Sequence, residues 1–198
     1  LPSEFLTKGV RFICPIDPQG GGTWCATNEY GFTFALLNFY QGRFPKGKLR
    51  SRGELVKNAA QFNRVEHVEQ YLASVDLNKY PPFSFLIFSP FSTSVSLLRW
   101  TGKSLEASIQ ESPLISSAKY FERVRESRLN LYQATLYRDG EYTPTKSDFI
   151  ALHKSHEPER SAYSMCMHRD EAQTVSFSCV EVAGECAEYW YSDGPPCE

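Results

Sequence analysis

Asn38 closes an almost unbroken apolar run, GFTFALLNF at residues 31 to 39, and an amide at the tip of a buried strand has two uses. It can satisfy loose backbone groups, as asparagines at chain bends commonly do. It can also donate an N–H to the oxygen that becomes negative when a carbonyl is attacked, the chemistry of an oxyanion hole. Just upstream stand Gly21, Gly22, Thr23 and Trp24. Paired glycines admit a close approach of backbone or ligand, and the two residues after them can wall a pocket. A second group lies far along the chain. His153 and His156 are three apart, so a helix reaching both would turn them the same way. Cys166 and His168 are two apart and share a face if the segment is a strand. None of the standard ligand spacings occurs among them, so the spacing assigns no metal and no cofactor. Phosphate loops, nucleophile elbows and dinucleotide fingerprints are absent as well.

Positioning such residues takes strands and helices in a definite order. VRFICPI at 10 to 16 reads as a strand stopped by prolines. Strands at about 23 to 28 and 32 to 39 follow, joined by Asn-Glu-Tyr-Gly as a hairpin turn. Ser51 and Glu54 form a capping-box pattern ahead of a helix with Leu55, Ala59 and Phe62 on one face. A second helix at about 65 to 74 carries Val65, Val68 and Leu72. Strands return at 83 to 89, 94 to 100 and 104 to 109, then a long helix at 119 to 137. In it Phe121, Val124, Leu131 and Tyr132 face inward. A short helix near 146 to 154 starts at Thr145 with Asp148 as box partner, and a strand ladder at 161 to 168, 173 to 182 and 186 to 191 ends the chain. The strand at 32 to 39 is apolar on both faces, which predicts that Phe34, Leu36 and Leu37 are all inaccessible. Cover on both sides of an antiparallel ladder points to the α+β class, as a four-layer α-β-β-α sandwich.

With 198 residues and 41% hydrophobic content, the chain can bury a core of its own, as one domain over 1 to 198. Basic and acidic residues nearly balance at 21 and 23, with no run of one sign, which argues against nucleic acid or an anionic membrane surface. No apolar stretch approaches the ~20 residues of a membrane helix, so no membrane insertion is expected. The six cysteines include no Cys-x-x-Cys and fall mostly in strand-like segments, as expected of unbridged thiols in a cytoplasmic protein.

GGTW, then TNEYGFTFALLNFY and SRGELV, resembles the NRDE family, also called the transport and Golgi organisation family. HKSHEPERSAYSMCMHRDEAQTVSFS is similar to its bacterial branch, and the resemblance runs from about 9 to 197. It implies an N-terminal-nucleophile hydrolase fold, the same layered sandwich. NEYGFTFALLNF is also similar to a stretch of choloylglycine-hydrolase-type enzymes, in which the asparagine matching Asn38 helps form the oxyanion hole. Where those enzymes place a second asparagine, this chain has Ser116 and Ser117. In such hydrolases the first residue is the nucleophile and its α-amino group the base. Family members begin Met-Cys and carry an Asn-Arg-Asp-Glu tetrad. Neither is within these 198 residues, so the resemblance places the nucleophile upstream of Leu1. The implied activity is hydrolysis of an amide or thioester of a small acyl substrate. Asn38 would be catalytic, and Gly21, Gly22, Thr23, Trp24, Ser116, Ser117, His153 and His156 would contact the substrate. The alternative is a haem or lipid carrier on the same fold, with His153, His156 and His168 as axial candidates. Either way the expected partner is a small molecule, and the oligomeric state is open.

Overall fold

A computed structural model describes residues 1–111, 113–137, 143–184 and 186–198. The chain divides into two compact units. The first is Leu1–Ser112 with Cys179–Trp190, and the second is Pro113–Ser178 with Tyr191–Glu198.

The first unit is built on one antiparallel sheet. Its strands are β1 (Ser3–Thr7), β2 (Val10–Cys14), β3 (Cys25–Asn28), β4 (Thr33–Asn38), β5 (Phe83–Phe88), β6 (Val95–Trp100) and β7 (Leu105–Gln110). They lie side by side in chain order, each hydrogen-bonded to the next. The strand β1 is an addition to the sequence reading. Its alternation is weak because it is an outer strand with Glu4 and Leu6 exposed. Outer strands need little apolar pattern, since only one neighbour pairs with them.

Two helices, α1 (Gly53–Ala59) and α2 (Val65–Ser74), cover one face of the sheet. Phe12, Ala26, Phe34, Phe85 and Leu98 point from successive strands into that layer and meet Leu55, Val56, Val68 and Leu72. Phe34 is inaccessible, as alternation predicts, but Leu36 and Leu37 are only half-buried. Burial falls off along β4 from Thr33 toward Asn38, so the strand's tip stands where cover thins. On the opposite face Cys25 receives the side chain of Tyr189. That residue belongs to β11 (Cys186–Asp193), which pairs with β10 (Ser176–Ala183).

The predicted capping box at Ser51 and Glu54 does not form. Arg52 sits at the helix N-cap in helical backbone with no side-chain cap. The Glu54 carboxylate instead accepts both nitrogens of the Arg50 fork and the Tyr80 hydroxyl. Asn28 ties the other end of α1. Its amide donates to the carbonyls of Ala60 (3.0 Å), the helix C-cap, and Phe62 (2.8 Å), in the loop after it. Its side-chain oxygen accepts from the amides of Tyr30 and Phe32 within the β3–β4 turn.

The second unit holds α3 (Phe121–Leu136), α4 (Lys146–Lys154) and the two-residue strands β8 (His168–Arg169) and β9 (Ala172–Gln173). Among the described residues its buried apolar cluster is small: Tyr132, Leu136 and Leu152, with Leu131 and Met165 against them. Here the Thr145–Asp148 box is present as predicted. Residues 161 to 167 are not the expected strand, because turns held by Ser161 and Ser164 occupy them. The chain is thus α+β with antiparallel strand pairing. Among the described residues that pairing is one sheet of seven strands and two two-stranded ribbons.

Candidate functional site

Asn38 is half-buried on the helix-facing side of β4, opposite Phe83 in the register. Its Nδ2 donates to the Tyr40 hydroxyl at 2.8 Å. Arg52, at the start of α1, donates to the Pro82 carbonyl at 2.9 Å. Burial pushes the guanidinium's pKa down, and the nearby Tyr40 hydroxyl partly offsets that. The turn after Asn38 is tightly held. The Phe39 amide bonds the Pro82 carbonyl, and the Arg43 amide bonds the Thr101 carbonyl at 2.8 Å. Gly102 has φ +84°, and a Cβ on it would stand 1.7 Å from the Arg43 carbonyl oxygen, so no side chain fits there. An amide donor, a phenol and, from the start of α1, a cationic group therefore lie near the end of this strand.

The residues ahead of that strand pack on protein. Gly22 lies against Gly53 so closely that a Cβ would be 2.7 Å from the Gly53 Cα, and the Thr23 amide donates to the Gly53 carbonyl. Thr23 is buried, with its hydroxyl bonded to the Cys25 carbonyl at 2.9 Å. Trp24 is half-buried and its carbonyl accepts from the Leu36 amide. Gly21 takes φ +64°, and its carbonyl accepts from Lys57 Nζ. Gly22 thus seats α1's first turn, while Gly21 meets Lys57 of its last turn. A cleft of about 770 Å³ does open in this unit, but at the β3–β4 turn. Arg11, Glu29, Tyr30, Asn63 and Phe91 line it, and none of Gly21, Gly22, Thr23, Trp24 or Asn38 does. One strand length, about 17 Å, separates that end of β4 from Asn38.

The other sequence candidates belong to the second unit. Ser116 and Ser117 are half-buried ahead of α3, with the Ser117 hydroxyl donating to the Lys119 carbonyl at 2.7 Å. His153 and His156 do not share a helix face, because α4 ends at Lys154 and Ser155 is extended. His153 bonds the Phe149 carbonyl through Nδ1 and packs on Phe177, and burial pushes its pKa down. His156 turns the other way, with its ring 5.1 Å from that of His168. Around it gather Cys166, His168 and Cys197, a set the spacing did not reveal because Cys197 is remote in sequence. All six cysteines are unbridged. No helix among the described residues is long and apolar enough to cross a membrane.

Comparison with known proteins adds the following. The model of the family described as Transport and Golgi organisation 2 matches residues 2–189. A conjugated bile acid hydrolase of Clostridium perfringens, solved as a mutant, is similar at 17% identity with a TM-score of 0.40. A second variant of that hydrolase is similar at 16% and 0.40. In both cases 77% of this chain and 54% of the other are covered, so this chain spans about half the length of those structures. None of the curated proteins matches.

Proposed function

This chain belongs to the Transport and Golgi organisation 2 family, and from that premise we propose that it serves an N-terminal-nucleophile hydrolase acting on an amide or thioester of a small acyl substrate. The nucleophile in this reading is a cysteine upstream of Leu1. Its thiol attacks the acyl carbonyl while its own α-amino group takes the proton. The carbonyl oxygen becomes an oxyanion, and the Asn38 amide donates to it. Collapse of the intermediate expels the amine or thiol, which takes back the proton. Water then releases the acyl group from sulfur by the same path in reverse.

The observation that supports this reading is Asn38 itself. Its amide stands at a strand end whose following turn is locked by the Arg43–Thr101 bond and by the absence of space beside Gly102. A donor fixed in advance costs no reorganisation when charge develops, which is what oxyanion stabilisation requires. In this reading a substrate oxygen would compete with the Tyr40 hydroxyl for the Asn38 amide.

The test uses protein preceded by its natural N-terminus and a panel of chromogenic amides and thioesters. Asn38→Ala should lower kcat by about 10²–10³ with the melting temperature unchanged. Full turnover by that variant would refute the role of Asn38. Absence of turnover by any substrate, together with stoichiometric haem absorbance, would move the protein to the carrier class.

A further inference from the structure

We propose that His156, Cys166, His168 and Cys197 form a binding site for one thiophilic divalent cation, of which Zn²⁺ fits best, and that this ion staples the second unit. The four ligand atoms lie within 4.8 Å of one another. Both sulfurs, Cys166 Sγ and Cys197 Sγ, are 3.5 Å from the same nitrogen, His168 Nε2. That is the edge of a metal tetrahedron. With Zn–S of ~2.3 Å and Zn–N of ~2.0–2.1 Å, neighbouring sulfur and nitrogen ligands stand roughly 3.5–3.6 Å apart.

Hydrogen bonding explains the set less well. A neutral imidazole nitrogen donates or accepts one good bond, yet two thiols crowd this one. His156 Nε2 is buried and has no hydrogen-bond partner among the described residues. A buried ring nitrogen without a partner costs free energy unless a ligand meets it. Two sulfurs and two imidazoles are also the donor set that selects Zn²⁺ over harder cations. Two thiols lose their protons on binding, so the ion and its ligands are neutral together.

The backbone brings the donors together from three places. His156 follows α4, and the Cys166 amide bonds the Ser155 carbonyl at 3.0 Å, which sets the two segments side by side. The Ser164 hydroxyl donates to the carbonyls of both Ser161 and Cys166, holding the turn. Cys197 comes from the end of the chain. Around His168, Arg160 Nη2 stands 3.3 Å from Nδ1, and the Gln173 side chain is a further partner. Arginine only donates, so that contact suits a ring with its hydrogen on Nε2, aimed at the sulfurs. Metal on Nε2 moves the hydrogen to Nδ1, where Gln173 can accept it and Arg160 must withdraw. The need for a staple is visible too. Among the described residues the second unit's buried apolar cluster is small, and small cores are commonly completed by a metal or disulfide.

The experiment takes tag-free full-length protein purified under reducing conditions. Elemental analysis should find one Zn²⁺ per chain, retained on gel filtration. Cys166→Ser, Cys197→Ser and His156→Ala should each lower that to below about a tenth, while Cys186→Ser leaves it unchanged. Because a variant can lose metal by failing to fold, the wild-type apo-protein is also titrated with Co²⁺. Thiolate-to-cobalt charge transfer and tetrahedral d–d bands at one equivalent are expected, together with protection of Cys166 and Cys197 from alkylation. Apo-protein that gives no such bands overturns the proposal. So does a Cys166–Cys197 disulfide in freshly purified chain, or octahedral cobalt with both thiols still reactive.

Discussion

At the residue scale, Asn28 and Asn38 show how far side-chain type leads. Both are amides at strand ends, and the chain pattern drew attention to Asn38. Asn28 is buried and makes four side-chain hydrogen bonds, two of them fully buried. Asn28→Ala strands the Ala60 and Phe62 carbonyls and two turn amides, and should cost on the order of 3 kcal/mol in chemical denaturation. Asn28→Asp should be no better, since its carboxylate would face the Ala60 and Phe62 carbonyl oxygens. Stability equal to the parent in that variant would contradict the anchoring role. Nothing in the residue types separates the two amides, because two of the four partners of Asn28, the Ala60 and Phe62 carbonyls, lie over thirty positions away. Cys25 offers a pH test. Burial pushes its thiol from 9.0 to about 11, against the Tyr189 hydrogen bond, which lowers it. The folded state therefore holds this proton more tightly than the unfolded chain. Stability from this group is complete below pH 9 and is lost as pH rises through about 11. Native iodoacetamide labelling at pH 8, read by mass spectrometry, should modify exposed Cys186 and spare Cys25.

At the element scale, backbone contact decides more than pattern does. The Gly22–Gly53 contact fixes where α1 starts, and a Cβ on Gly53 would meet the Thr23 nitrogen at 2.6 Å. Gly53→Ala should destabilise by about 1–3 kcal/mol, although alanine favours helix by roughly 1 kcal/mol. A thermal shift upward would show that the contact yields. In α4, Thr145→Ala removes a formed capping box and should cost about 1 kcal/mol. The two box motifs explain what was legible. Thr145 and Asp148 close their box within one helical turn, so the local signal suffices. Glu54 is claimed by Arg50 and by Tyr80, which a local pattern cannot anticipate. The α2 helix was readable to its ends because Val68 and Leu72 repeat at one turn. The β1 strand was hidden by its exposure.

At the scale of the molecule, the two units differ in what holds them. The first buries aromatic and aliphatic residues from five strands and two helices, while the second has few among the described residues. Removing the proposed ion should therefore act regionally. Hydrogen exchange after chelation should rise in Pro113–Ser178 and Tyr191–Glu198 and stay unchanged in β3 to β6. Uniform loss of protection would mean that the ion supports the whole chain instead. The candidate donors show the limit of sequence reading at this scale. His156, Cys166 and His168 were legible as a neighbourhood, but Cys197 completes the set only through the path of the folded chain.

The order of the seven strands also bears on how quickly the chain can reach this structure. Every strand is bonded to its chain neighbour, so nearly all ladder contacts close short loops. The exception is β4 with β5, separated by α1 and α2. Short loops cost little entropy and give fast folding, whereas the one long closure waits on its helices. β1 to β4 and β5 to β7 are thus two meanders that can zip independently, each as soon as it leaves the ribosome. Their union at the β4–β5 seam is then the slow event, and Phe34 and Phe85, which meet across it, should mark the barrier.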